Sequence, residues 1–514
     1  MKQRALVSEG TILRLMQAAQ KAFQECKYEE CFETFERARR LAPANIRILL
    51  DIGGFYVRRY EQARAAEYFE RAIKLSPRKT ATLEDAGARC RDAASFELAR
   101  QYLEPAAAQK DVSAEGLAAL GGVYERLRRM DDANAVAERA IKLNPNSTAA
   151  ILIKARLEHL AGRNAEAEAR LRAFTTDRNE APARVRAAYD LGAMLDRQGR
   201  YDEAMTAFQH AKDLQKPNAA QPFADLKLTR DRLAALVDSL TPEILQRWFD
   251  ARSSFLPPLR LALLGGHPRS GTTLLEQVVD SHPEIVSAEE TDVFHNDAYY
   301  PLRSHLPITT PILEELEQLT TEGIQKGRQS YRKRIETFLD QPLGDRLLVD
   351  KNPTLTFLVP AMARIFPEIK FLIALRDPRD VCMSCFMQPI PLNQTSAAWL
   401  SIEGTITDYI ALMGNWRKTM PKLPQPVLEV RYEDMVADLE PVARKTLDFL
   451  GVAWDPKVLG FDEHARQKAV RSPTYSDVTK KVFKTAVGRW RNYQKYFEPH
   501  LAKLEPLAKE LGYE

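Results

Sequence analysis

Alanines at positions 38, 72, 106 and 140 recur every 34 residues, and Pro43, Pro77 and Pro145 keep the same register, with Asp111 at the missing step. A period of this length implies one pair of antiparallel helices per repeat, in which a small residue lets the helices approach and a proline ends the second. No single pair can bury its apolar face alone, so such a chain is committed to a stack of pairs, an all-α superhelix. The clearest copy reads AAYDLGAMLDRQGRYDEAMTAFQHAKDLQKP and contains Leu191, Gly192, Gly199, Tyr201, Ala204, Phe208 and Ala211 at the repeat positions. The pattern gives six copies up to residue 217, of which the third (78–111) and fifth (146–180) are the weakest. DRLAALVDSLTPEILQRWF then reads as two short helices over 218–257, closed by Pro257-Pro258.

Beyond Pro258 the periodicity changes. Short apolar runs (LRLALL, RLLVD, KFLIALR, PVLEVRY) alternate with helical patterns (LLEQVVDS, TFLVPAMARIF, MVADLEPVARKTLDFL). This alternation predicts an α/β domain over 258–514, a parallel sheet with helices on both faces, following an array over 1–217 and a helical linker over 218–257. In such a sheet ligands bind beyond the carboxyl ends of the strands.

The formal net charge is +4, from 74 basic and 70 acidic residues, which argues against nucleic-acid or membrane-surface binding. No apolar stretch follows the first residues and no window approaches a membrane span, so a cytoplasmic location is expected. Five cysteines do not make a disulfide framework, and Cys382 and Cys385 lack the further ligands of a zinc site. They read as small apolar residues on one helix face.

The stretch GGHPRSGTT (residues 265–273) sits between the first apolar run and a helical pattern. Gly266, four residues and Gly271 reproduce the frame of a phosphate-binding loop, in which backbone N–H groups and a helix N-terminus converge on an anion. The lysine of a triphosphate site is absent. Thr272 and Thr273 stand there, and the positive charge lies within the loop at Arg269. That suits a single phosphate held by backbone and hydroxyls beside an arginine, with no metal.

GHPRSGTTLLEQ followed by SHPEIVSAEE resembles the 5'-phosphosulfate loop of sulfotransferases, and PRSGTT with the trailing glutamate pair is most similar to the tyrosylprotein sulfotransferases. FLIALRDPRDVCMSCF resembles the family's 3'-phosphate motif, with Arg376 and Ser384 on its two positions. VDKNP matches a segment carrying a lysine, Lys351; VRYED supplies Tyr432; and VRSPTYSDVTKKVFKTAVGRWRNY resembles the nucleotide-closing loop, which puts Thr474, the run to Phe483, and Arg489 near the donor. The repeats resemble the tetratricopeptide family. Together these resemblances imply a tetratricopeptide superhelix ahead of a three-layer, P-loop-like sulfotransferase domain using 3'-phosphoadenosine-5'-phosphosulfate (PAPS). Ser270, Gly271, Thr272 and Thr273 would hold the 5'-phosphate and Arg376 with Ser384 the 3'-phosphate. Arg269 would face the transferring group, Lys351 the leaving oxygen, and Glu290 would be the base. The expected partners are PAPS or its product, an acceptor peptide, protein or hydroxylated small molecule, and a protein on the concave face of the repeats.

Several residues carry a plainer expectation. Glu289 caps or bridges within the loop; His267 or His295 is an alternative base; Asp377 and Arg379 form a local ion pair; Trp399, Tyr409 and Trp416 belong to the core. The basic residue that follows the glutamate pair in tyrosylprotein enzymes is replaced by Thr291 and Asp292, and neither their membrane anchor nor their disulfide beside the pair is expected here. A P-loop kinase or nucleotidase, or a repeat-based binding protein with an inactive transferase domain, are the alternative readings.

Overall fold

The computed structural model describes residues 9–175, 180–467 and 486–513. Contacts divide the chain into two compact units: Met1–Arg170 with Lys333–Gln341, and Leu171–Arg332 with Pro342–Glu514. Among the described residues no helix is long and apolar enough to cross a membrane.

The first unit is built from helical pairs. Glu9–Gln24 packs on Tyr28–Leu41, Ile46–Arg58 on Gln62–Leu75, Lys79–Asp92 on Phe96–Ala107 and Ala114–Arg126 on Met130–Leu143, while Thr148–Leu160 continues the stack. The periodic alanines Ala38, Ala72, Ala106 and Ala140 are all buried. The close approach is steep at Gly53, where an added Cβ would stand 2.3 Å from the Phe69 ring. The third copy, weak as a pattern, forms a full helical pair, and the first helix of the fifth, Thr148–Leu160, packs on the pair before it.

The turn inside each pair repeats as well. Cys26, Tyr60, Ala94, Arg128 and Gly162 all have left-handed φ and are spaced by 34 residues. The next residue's N–H reaches five residues back in every case: Lys27 to Ala22 (2.9 Å), Glu61 to Tyr56 (2.9 Å), Ser95 to Cys90 (2.9 Å), Arg129 to Tyr124 (2.8 Å) and Arg163 to Glu158 (2.8 Å). This closure satisfies carbonyls that a helix end leaves bare.

The second unit contains the sixth pair, Ala181–Arg197 and Tyr201–Gln215, with the same turn at Gly199 and the same bond from Arg200 to Leu195 (3.0 Å). Helices Ala220–Ser239 and Pro242–Asp250 follow. Its sheet has five parallel strands, β1 (Leu261–Gly266), β2 (Ile285–Glu289), β3 (Leu347–Lys351), β4 (Lys370–Leu375) and β5 (Val427–Arg431), in the order β2-β3-β1-β4-β5. β1 is fully buried and apolar, as a strand covered on both faces must be. Ala262, Leu264, Leu372 and Ala374 pack with Leu275, Val278, Val279 and Leu447 in one core. After β3 the chain crosses to the other side of β1, so the crevice at the carboxyl ends of β1, β3 and β4 is the place where such a sheet can receive a ligand.

Candidate active site

β1 ends at Gly266, whose φ of +129° no side chain tolerates; a Cβ there would lie 2.4 Å from the Ala374 carbonyl of β4. The strand end is clamped by Thr356, whose hydroxyl accepts from Gly266 N (2.7 Å) and donates to Gly266 O (2.9 Å). The loop then closes on itself: Ser270 N and Oγ both donate to the His267 carbonyl (3.1 and 2.6 Å). Gly271 precedes the helix Thr272–Asp280, against the Tyr432 ring. Ser270, Gly271, Thr272 and Thr273 are therefore gathered at one helix N-terminus, where the field and the first N–H groups favour an anion.

Two arginines converge on this loop from different strands. Arg376 follows the end of β4, lies 5.0 Å over the Tyr432 ring and donates to the carbonyls of Arg269 (3.3 Å) and Ala486 (2.5 Å). Its Nε is buried and, among the described residues, without a hydrogen-bond partner. Arg269 donates through Nε to Ser384 Oγ (3.0 Å). Residues distant in sequence (269, 376, 384 and 432) thus form one cluster. Asp380 belongs to it too: its carboxylate accepts from Gly488 N (2.7 Å) and Trp490 N (2.8 Å), and burial raises its pKa while Arg376 draws it down.

A second cluster lies at the ends of β2 and β3. Lys351 Nζ donates to Glu290 Oε1 (2.7 Å) and lies 3.4 Å from Glu276 and 3.8 Å from Glu289. Burial favours the neutral amine, yet Glu276, Glu290 and Glu289 together hold the lysine above its ordinary pKa. The Glu290 side chain is 37% exposed, against 0% for Lys351, 0% for Glu276 and 2% for Glu289, so of these four Glu290 alone is open to an incoming group. Glu289 pairs with Lys351 on the neighbouring strand β3. Lys351 is enclosed by carboxylates and reaches the outside only through Glu290.

Arg269 (φ +74°) and Glu290 (φ +47°) are both in the left-handed region, and outside the helical hairpins Asp340 is the other described non-glycine residue there. Such conformations cost roughly 1–3 kcal/mol and concentrate where function fixes the backbone. Here the cost is offset locally, since the Glu290 N–H donates to Lys351 O at 2.7 Å.

The remaining expectations sort as follows. His267 is buried with Nδ1 2.8 Å from the Pro268 carbonyl, and burial lowers its pKa; it is a wall of the loop rather than a reachable base. His295 lies against Asn296 (2.9 Å). Cys382 and Cys385 are buried thiols whose pKa burial raises. Trp399, Tyr409 and Trp416 are core residues, and Arg379 pairs with Asp377 at 2.8 Å. The guanidinium of Arg489 is turned from the loop to the buried carboxylate of Asp196, which needs a cation. Thr474 and Phe483 lie outside the described residues. Sequence reasoning missed Glu276, Thr356, Asp380 and Asp196, single polar residues with no motif spacing; the one trace is that Glu276 falls a helical turn after Thr272, on the side facing β3.

A profile described as the sulfotransferase family matches residues 262–456, and tetratricopeptide-repeat profiles match 114–147 and 154–220. An uncharacterised protein of Aquifex aeolicus is 23% identical over 400 residues, covering 76% of this chain and 50% of its own. Protein-tyrosine sulfotransferase A of Caenorhabditis elegans is 27% identical over 213 residues, 39% of this chain and 52% of its own. The chain thus spans about half the length of the curated relatives it matches first. Among solved structures, the sulfotransferase domain of the Synechococcus PCC 7002 olefin synthase is similar at 24% identity and a TM-score of 0.36, covering 50% of this chain and 96% of its own. Residues 262–456, which span β1–β5, thus match the sulfotransferase family, and the matches to tetratricopeptide repeats precede them in the chain.

Proposed function

We propose that this protein moves a sulfuryl group from PAPS to an acceptor hydroxyl, without a metal, and works in the cytoplasm. The observation that carries this reading is the Arg376 guanidinium, held by Tyr432 beside Ser384 and Arg269 with one buried N–H unused. An unsatisfied buried donor on a charged group costs on the order of 1–3 kcal/mol, and a phosphate oxygen would remove that cost. Arg376 and Ser384 then take the 3'-phosphate, the feature that separates this donor from ATP. Ser270, Gly271, Thr272 and Thr273 take the 5'-phosphate, while Thr474 and Tyr432 flank the nucleotide.

The reaction needs little covalent work from the protein. The bond between sulfur and the phosphate oxygen breaks as the acceptor oxygen attacks in line, and Arg269 neutralises charge on the sulfuryl oxygens. Glu290 takes the acceptor's proton. Once protonated, its carboxyl no longer neutralises Lys351, whose ammonium becomes available to the leaving oxygen. Base and electrophile are in this way coupled through one 2.7 Å bond.

The relatives named as protein-tyrosine sulfotransferases favour a tyrosine hydroxyl of a peptide or protein as acceptor, with the repeats holding the acceptor chain. Melting the protein with 3'-phosphoadenosine-5'-phosphate (PAP) and no metal tests the donor. The melting temperature is expected to rise, and Arg376→Ala to lose most of the rise; an equal rise with ATP and magnesium would instead support a kinase or nucleotidase.

A further inference from the structure

The sixth helical pair lies in the same compact unit as the sheet, and it grips the segment that crosses the donor site. Asp196, in the last turn of Ala181–Arg197, is a buried carboxylate. One of its oxygens accepts from the Tyr493 hydroxyl (2.7 Å) and the other from the Arg489 guanidinium. The Tyr493 ring is itself fully buried and packs edge-on against Tyr201, across the turn from Asp196 (centroids 5.4 Å apart). Arg489 and Tyr493 are the two ends of a single 3-10 turn. The residues just before that turn, with Trp490 inside it, meet the other side of the site: Ala486 O accepts from Arg376, and Gly488 N and Trp490 N donate to Asp380. Arg379 covers the Trp490 ring at 4.7 Å.

Resting on the reading of Arg376 as a donor-phosphate ligand, we infer that Asp196 is a positioning residue for the donor: the repeat hairpin fixes segment 486–493, which in turn fixes Arg376. The physical chain is short. Arg376 spends one Nη on Ala486 O and the other on Arg269 O, and its buried Nε has no hydrogen-bond partner among the described residues. If the 3-10 turn is released from Asp196, Ala486 loses its fixed place and Arg376 gains rotamers that bind no phosphate. The donor then has to order an arginine that the native hairpin holds ready, and preorganisation of this kind appears as affinity. The hairpin contributes no atom to the nucleotide, so the effect belongs to donor binding and not to the chemical step.

The test is calorimetric titration of the full-length chain with PAP, for wild type, Asp196→Asn and Asp202→Asn. Asp202 pairs with Lys495 (2.8 Å) and Tyr496 (3.0 Å) on the exposed side of the same hairpin and serves as the matched control. Asp196→Asn is expected to weaken PAP about tenfold, with Asp202→Asn unchanged; in turnover assays the KM for donor should rise while kcat at saturating donor stays put. Equal PAP affinity in wild type and Asp196→Asn overturns the inference alone. Wild type that fails to bind PAP overturns the donor reading and the inference together. Should Asp196→Asn fold poorly, Tyr493→Phe removes one of the two bonds in place and is expected to weaken PAP in the same direction; no change there also overturns the inference.

Discussion

Lys351 carries the largest electrostatic burden of any residue in the site. Its ammonium is the shared counter-ion of three carboxylates, two of them fully enclosed. Lys351→Met would take the ammonium counter-ion from the buried Glu276 and Glu289, and breaking a buried pair in this way costs about 3–5 kcal/mol. Chemical denaturation should register a loss of that order. Glu290→Gln is a different kind of change, since the side chain is the open one and the amide can still accept from Lys351. The expectation is a nearly unchanged denaturation midpoint with kcat lowered roughly 10²–10⁴-fold. Lys212 is the opposite case to Lys351: buried between Tyr189 and Phe386 and paired with no carboxylate among the described residues, its pKa is lowered by burial to about 7. Between about pH 7 and its ordinary value the unfolded chain holds a proton there that the folded chain does not, so stability rises with pH across that window. Lys212→Met should therefore stabilise the protein most below about pH 7, with the gain fading toward pH 10, as melting at several pH values would reveal. Arg269 and Glu290 were legible as candidates because each stands in a motif; Lys212, Glu276 and Asp196 were not, because a lone charged residue on an amphipathic helix reads as solvent-facing until its neighbours are known.

At the scale of the element, the helical hairpin is defined by its turn as much as by its apolar stripe. The left-handed position is occupied by Cys26, Tyr60, Ala94 and Arg128 before glycine appears at 162 and 199. A Cβ in that conformation costs roughly 1 kcal/mol. Ala94→Gly is therefore expected to raise the urea midpoint by an amount equivalent to about 1 kcal/mol. Gly53→Ala should do the reverse, losing roughly 1–3 kcal/mol as the methyl meets Phe69. The period was plain in the sequence, yet the third copy was faint, and the reason is physical. Gly87 against Leu103 replaces the glycine–phenylalanine contact of Gly53 and Phe69, so the same volume is filled by different residues and only the spacing survives. The strands were easier: the four short apolar runs became β1, β3, β4 and β5, and IVSA became β2, at one edge of the sheet.

For the molecule as a whole, the repeat pattern ends near residue 217, whereas contacts group the sixth hairpin with the sheet from Leu171 onward. Periodicity reports how a segment is built and contact reports what it is built against, and for residues 181–215 the two differ. The strand order has a further consequence. β1 is the first strand to leave the ribosome, but its partners begin 86 and 109 residues later, at Leu347 and Lys370, so the central strand waits for both of its neighbours. Pairings this far apart in sequence are slow to form and leave edges bare in the meantime. A nascent chain released before Lys370 would carry Leu261–Gly266 as a sticky, half-dressed ribbon, a natural client for a chaperone that binds extended aliphatic segments during translation.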